Sequence, residues 1–186
     1  GFQALSSATT STDNVALGSG AGFAITTGTQ NTFLGTAAGD AATTSVENVA
    51  VGFQALSADT LGSKSVAVGR MALLSQNFTS ATDVYNVGVG HNAGQQITTG
   101  FNNTLIGGLA GDALTDADHN VAIGYVALSA DTLGSKSTAI GRGALSNQNF
   151  TSATDSHNTA VGYHAGHQVT TGTQNTLLGD STGDAI

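Results

Sequence analysis

The sequence contains no cysteine, no proline and no tryptophan, and only 9% of its residues are charged. Each shortage narrows the field. Without cysteine there is no disulfide framework and no thiolate metal site, and the redox compartment stays open. The low charge lies far below the roughly 25% of an ordinary soluble domain and argues against disorder of the highly charged kind. Lys64, Arg70, Lys136 and Arg142 are the only cations, and the net charge is −8. A nucleic-acid binder needs a cationic surface to displace counterions, so no nucleic-acid partner is expected. No apolar run is long enough to span a bilayer, so no membrane insertion of this segment is expected, and no signal peptide is visible.

What is abundant is glycine, 26 residues of it, together with Thr, Ser, Asn and Ala. Gly and β-branched Thr are poor helix formers, so many short strands joined by tight turns fit better. These residues are arranged in a repeat. Asn14-Val15-Ala16-Leu17-Gly18 returns as five-residue copies starting at Asn31, Asn48, Ser65, Asn86, Asn103, Asn120, Ser137, Asn158 and Asn175. Each copy runs on into x-x-Ala-Gly or x-x-Ala-Leu, with Thr182 replacing Ala in the last. Most steps are 17 residues and every fourth is 21, which superimposes a 72-residue period. The nine residues from Ser57 to Ser65 are identical to those from Ser129 to Ser137. The chain opens in mid-motif, and it is expected to be a fragment of a longer fibre, with 1–186 forming a single repeat domain.

A 17-residue unit is too short to bury its own core but can stack on its neighbours. The expected fold is an all-β parallel β-roll (a β-solenoid), with two short strands and two turns per coil. Coils rising by the strand spacing would give a rod on the order of 50 Å long. Glycine at the fifth position points to a positive-φ turn or a close backbone approach. Asn at the first position is expected to form a hydrogen-bonded ladder along the rod, with Ser65 and Ser137 doing part of that job.

Alternation sends the second and fourth positions to one face of the strand and the third to the other. The second and fourth positions, such as Val15 and Leu17, are expected to fill the coil. The third is Ala16, Phe33, Ala50, Ala67, Gly88, Leu105, Ala122, Ala139, Ala160 or Leu177, none of them polar. A strand apolar on both faces is buried on both faces. These third-position residues are therefore the candidates for a contact between chains around a symmetry axis.

Asn-x-Ala-Val-Gly followed by x-x-Ala resembles the head repeats of YadA-like trimeric autotransporter adhesins, and is similar to arrays in bacteriophage tail fibres. The resemblance covers nearly the whole chain. It implies a left-handed β-roll, a homotrimer with the Ala-bearing strand innermost, and an extracellular place on a bacterial cell surface or a virion tail fibre. It implies a structural and adhesive fibre segment, acting as a rigid spacer and as a module that binds a host-surface glycan, receptor or matrix protein. The coils here are longer than those of familiar adhesin heads, so their turns must be longer.

No catalytic constellation is legible, and no enzyme activity, cofactor or metal is expected. The carboxylates are scattered along connectors without a recurring His or Lys partner, and no phosphate loop or calcium nonapeptide occurs. His91, His119, His157, His164 and His167 are read as scattered surface residues. The cations form two small bands in corresponding coils, with Asp59 and Asp131 as nearby partners. Phe78 and Phe150 lie in the longer connectors. They are candidate surface contacts for a receptor or glycan, unless they fold back as lids on the rod. The competing reading is an ice-binding β-solenoid, with Thr26-Thr27, Thr98-Thr99 and Thr170-Thr171 lining a flat face.

Overall fold

The computed structural model describes residues 1–184; residues 185 and 186 of the expected domain lie outside the described residues. It is an all-β parallel solenoid of about ten coils, with no helix among the described residues. Ten three-residue strands form one sheet: β1 (Val15–Leu17), β2 (Thr32–Leu34), β3 (Val49–Val51), β5 (Val66–Val68), β7 (Val87–Val89), β8 (Thr104–Ile106), β9 (Val121–Ile123), β11 (Thr138–Ile140), β13 (Thr159–Val161) and β14 (Thr176–Leu178). They stack in chain order, every neighbouring pair parallel. Register is strict: Ala50 sits between Phe33 and Ala67, and Val51 between Leu34 and Val68.

The second strand expected in every coil appears only beside the longer connectors. There, β4 (Gly62–Ser63) pairs with β6 (Thr82–Asp83), and β10 (Gly134–Ser135) with β12 (Thr154–Asp155). Elsewhere turn backbone takes its place. Ala24 N–H donates to the Asp40 carbonyl and Thr26 N–H to the Thr43 carbonyl, so turns, like strands, are bonded to the next coil. Left-handed corners keep the strands short. The residue just before each first position (Asp13, Gln30, Glu47, Lys64, Tyr85, Asn102, His119, Lys136, His157 or Gln174) has φ between 50° and 63°. None is β-branched, the class that this conformation penalises most. At the other end of the strand Gly18 has φ 139°, and a Cβ there would press into the Gly35 carbonyl. Both roles expected of this glycine are thus present.

The facing of the strands is the reverse of the expectation. Phe33, Ala50, Ala67, Leu105, Ala122, Ala139 and Ala160 are fully buried within the single chain. Gly88 and Leu177 are also buried, and Ala16 in the first coil packs partly against the same core. The third position therefore fills the coil itself and is not free to meet sister chains. The second and fourth positions point outward: Val15, Leu17, Ile106 and Leu178 are exposed, and their central equivalents are half-buried. The physical reason is room. The narrow coil also has to hold the alanine three residues past the corner glycine (Ala21, Ala38, Ala55) and a further inward side chain such as Ile25 or Leu114. A strand can contribute one side chain to that space, not two.

Core volume is shared between neighbouring coils: where the third and ninth positions are both small, as at Gly88 and Gly94, a Cβ added at Gly94 would lie 2.7 Å from Leu105 and 2.8 Å from Leu73, so the adjacent coils fill the space. Where the third position is Ala50, Ala67, Ala122 or Ala139, the same coil supplies buried Leu56, Leu73, Leu128 or Leu145. Where the third position is Phe33, Leu105 or Leu177, the leucine is replaced by Gly39, Gly111 or Gly183. Any Cβ added at Gly111 would lie 2.8 Å from Leu105. The 72-residue spacing of the bulky third residues is thus half of a swap. Close packing tolerates exchange of volume between facing positions far better than a net change.

The Asn ladder runs as expected. Asn14 Oδ1 accepts the Asn31 backbone N–H at 2.9 Å, Asn31 Oδ1 that of Asn48 at 2.9 Å, and Asn48 Oδ1 that of Ser65 at 2.8 Å. From Asn14 to Asn158 each Nδ2 donates to a carbonyl closing its own coil, as Asn103 does to Ala117 at 2.8 Å. At the serines a glutamine from the connector takes over. Gln76 Nε2 donates to Ser65 Oγ at 3.1 Å, and Gln76 Oε1 accepts from Asn86 Nδ2 at 2.9 Å. Gln148 repeats this with Ser137 and Asn158.

Replacing Asn103 by Ala strands the buried Asn120 N–H and the Ala117 carbonyl. Chemical denaturation at fixed chain concentration should show a loss of about 3 kcal/mol. Asn147→Ala, at an exposed connector position, should stay within about 0.5 kcal/mol of the parent.

Candidate functional site

Three features lie outside the core packing: a buried polar cluster under each long connector, the outward face of the large sheet, and a row of exposed aromatic and cationic side chains past the corner glycines.

The polar cluster occupies positions that are apolar in other coils, where Ile25, Ile97 or Leu114 stands. Asp59 is buried, and its Oδ1 accepts the backbone N–H groups of Gly62 at 2.9 Å and Phe78 at 3.1 Å. Its Oδ2 accepts from Gln76 Nε2. Asp131 is buried in the same way, with Gly134, Phe150 and Gln148. Neither carboxylate meets a cation. The expected local pairing with Asp59 and Asp131 is therefore not what forms. Lys64 instead bonds Asp83 at 2.7 Å, and Lys136 bonds Asp155, both partners on the short strands of the connectors. The reason is burial: the aspartates are spent on turn N–H groups inside the coil, out of reach of an exposed ammonium.

The same bonds explain the phenylalanines. The Phe78 and Phe150 N–H groups are tied to the buried aspartates, and the side chains are 8% and 6% exposed. They close the coil at the connector, as lids. This overturns their place as surface contacts. The rings that do face solvent include Phe23, Phe53, Tyr85, Tyr125 and Tyr163.

Burial pushes the Asp59 carboxyl above its ordinary range, against the pull of its hydrogen bonds. Asp40, Asp112 and Asp118 are raised for the same first reason. The bond from Lys136 lowers Asp155, and Asp83 raises Lys64. No group of three His, Asp or Glu side chains among the described residues is placed to hold a metal ion. Three of the five histidines pack against rings. His119 packs edge-on to Phe101, while His164 is stacked between Tyr163 and His167.

The outward face of the ten-stranded sheet is aliphatic. Its fourth-position row reads Leu17, Leu34, Val51, Val68, Val89, Ile106, Ile123, Ile140, Val161 and Leu178, without a polar residue. Its second-position row is made of five valines and five threonines, the threonines concentrated toward the last coils. Strict register makes this a flat, continuous stripe along the rod. Contiguous exposed apolar patches larger than a few hundred Å² are rare on monomers.

Past the corner glycine, one row places Phe53, Arg70 and His91 in consecutive coils, and 72 residues on it places Tyr125, Arg142 and Tyr163. Arg142 lies 5.9 Å from the Tyr125 ring centroid and 5.4 Å from that of Tyr163. The exposed rings and their repeat were overlooked in the sequence, although the identical position in the motif was there to find them. No protein-family model, curated protein or solved structure matches the chain.

The raised carboxyls fix a pH dependence. A group with a higher folded pKa takes up its proton in the folded chain first, so its protonation favours folding as pH falls. Between pH 7 and about 4, near the ordinary carboxyl value, thermal stability should rise on acidification. Asp59→Asn should flatten that rise, as read from melting curves across the window.

Proposed function

We propose that this chain is a structural and adhesive segment of a trimeric extracellular fibre, of the kind found as an adhesin head or a phage tail fibre. Its work is mechanical: a stiff rod that holds binding surfaces away from a cell or virion. The observation that carries this reading is the aliphatic outer stripe. The core is already complete within one chain, yet the sheet presents a second apolar face along the whole described length. Three copies packing these faces around a common axis would remove it from water, and the three-fold number comes from the adhesin-like motif. A left-handed winding belongs to the same proposal. The trimer axis moves accordingly, from the alanine row to rows such as Val51, Val68 and Ile123. Nothing in the arrangement calls for catalysis, and the chain is read as a non-enzyme.

The ice-binding alternative needs free threonine hydroxyls in a regular array. Those of Thr26, Thr43, Thr98 and Thr115 donate to carbonyls of the next coil. With Thr99 also donating to Asp116, three of the candidate hydroxyls are engaged within the rod, which breaks the free array that this alternative needs; a thermal-hysteresis assay separates the two.

Light scattering coupled to size exclusion should give a mass of three chains. Val68→Lys or Ile123→Lys would bring three unpaired charges into a dry contact. Each should yield monomers that keep the β-rich circular dichroism of the parent. A monomeric parent, or lysine variants that still form trimers, would overturn the assembly.

A further inference from the structure

Four cations stand against 12 carboxylates in this chain. Two are neutralised where they sit, Lys64 by Asp83 and Lys136 by Asp155. Arg70 and Arg142 are different. Both are exposed, and neither forms a salt bridge among the described residues. They occupy equivalent positions, 72 residues apart, each the first residue after a corner glycine.

Each arginine is held by rings instead of carboxylates. Arg142 stands between Tyr125 and Tyr163, its Nη1 donating to Tyr163 Oη at 3.0 Å and facing His164 Nε2 at 2.7 Å. His164 is fixed in turn, stacked on Tyr163 at 4.1 Å with the planes 2° apart. Arg70 lies 5.8 Å from the Phe53 ring, with Nη1 3.4 Å from His91 Nε2. Tyr125 and Tyr163 remain about half exposed, at 52% and 51%. The result at Arg142 is a guanidinium oriented in advance with aromatic surface on both sides, while Arg70 has one ring, Phe53, and the His91 imidazole beside it.

We propose that these two strips bind an acidic glycan, a saccharide bearing a carboxylate or a sulfate. The planar guanidinium fork matches either anion with two parallel hydrogen bonds. Because stacking already orders the side chain, less freedom is lost on binding. The exposed ring surface and the Tyr hydroxyls suit the mixed C–H and O–H surface of a sugar beside the anion. A long polyanion that binds through a broad field is disfavoured by the net charge of −8. The recognition therefore has to be short-range, one anionic group for each arginine. At one strand spacing per coil, the two strips lie roughly 19 Å apart along the rod. Two weak sites per chain become six in a trimer, which gives useful avidity from modest contacts. This deepens the adhesive half of the fibre reading and rests on it for that avidity, while the local geometry stands within one chain.

The test uses three immobilised probes: sialyllactose for a carboxylate, a heparin-derived oligosaccharide for sulfate, and lactose as the neutral control. Parent protein should bind at least one acidic probe and not lactose, and which one it binds identifies the anion. The double variant Arg70→Gln/Arg142→Gln should weaken that binding by about tenfold or more. Tyr125→Ala/Tyr163→Ala should weaken it as well. Lys64→Gln/Lys136→Gln, which removes the same formal charge, should leave it unchanged. Equal loss in the lysine variant, equal binding to lactose, or no binding to either acidic probe overturns the site. Chain mass is measured on the same samples. A trimer that ignores both acidic probes defeats the site alone, and a monomer that still binds one defeats the trimer alone.

Discussion

The structure depends on how little room one coil encloses. A strand of three residues between two left-handed corners can turn either one side chain inward or two. The space already holds an alanine past the corner glycine and a further inward side chain, so one is all it accepts. That constraint puts the third residue of each motif inside and the second and fourth outside. It also requires that neighbouring coils together fill the shared space. Leucine beside a third-position alanine, and glycine beside a third-position phenylalanine or leucine, are two ways of meeting it. With that space filled, adjacent coils stay in register, and the Asn amides meet the N–H groups one coil away.

Much of this was legible in the spacing. Seventeen-residue steps, a glycine fixed at the fifth position and an asparagine at the first led to a stacked parallel coil with an amide ladder, and the structure has these. The facing was not legible. A motif such as Val49-Ala50-Val51 is apolar throughout, and alternation alone cannot tell which side is the interior. The deciding signal was the paired exchange of Leu56 or Leu128 against Gly39 or Gly111, which shows that the third position shares space with the ninth. The left-handed residues before each first position were also hidden, because Lys64, Tyr85 or His157 carries no mark of a turn. Only their common place in the repeat, and the lack of β-branching there, gave a sign.

The charged and aromatic residues were harder still. Asp59 and Lys64 are neighbours in sequence, yet one is drawn into the coil by turn N–H groups and the other reaches across to Asp83. Phe78 follows its backbone bond to Asp59 and becomes a lid. Tyr125 and Tyr163 stay outside because their row begins just beyond the corner glycine, where the chain has left the core. Division of labour follows from these placements. The inside is built for register, the sheet face presents aliphatic side chains outward, and the corner row faces solvent; the proposed trimer contact and glycan strips lie on the last two.

Because the sequence lacks cysteine, a single introduced thiol reports directly on facing. Ala50→Cys and Val51→Cys, labelled under native conditions with a maleimide, test the central claim that the third position lies in the core and the fourth on the outer stripe. Ala50→Cys should resist labelling in both the assembled and the dissociated chain, while Val51→Cys should be protected in the assembly and react readily once chains are separated but still folded. Rapid labelling at position 50 with protection at 51 in a folded, separated chain would contradict it.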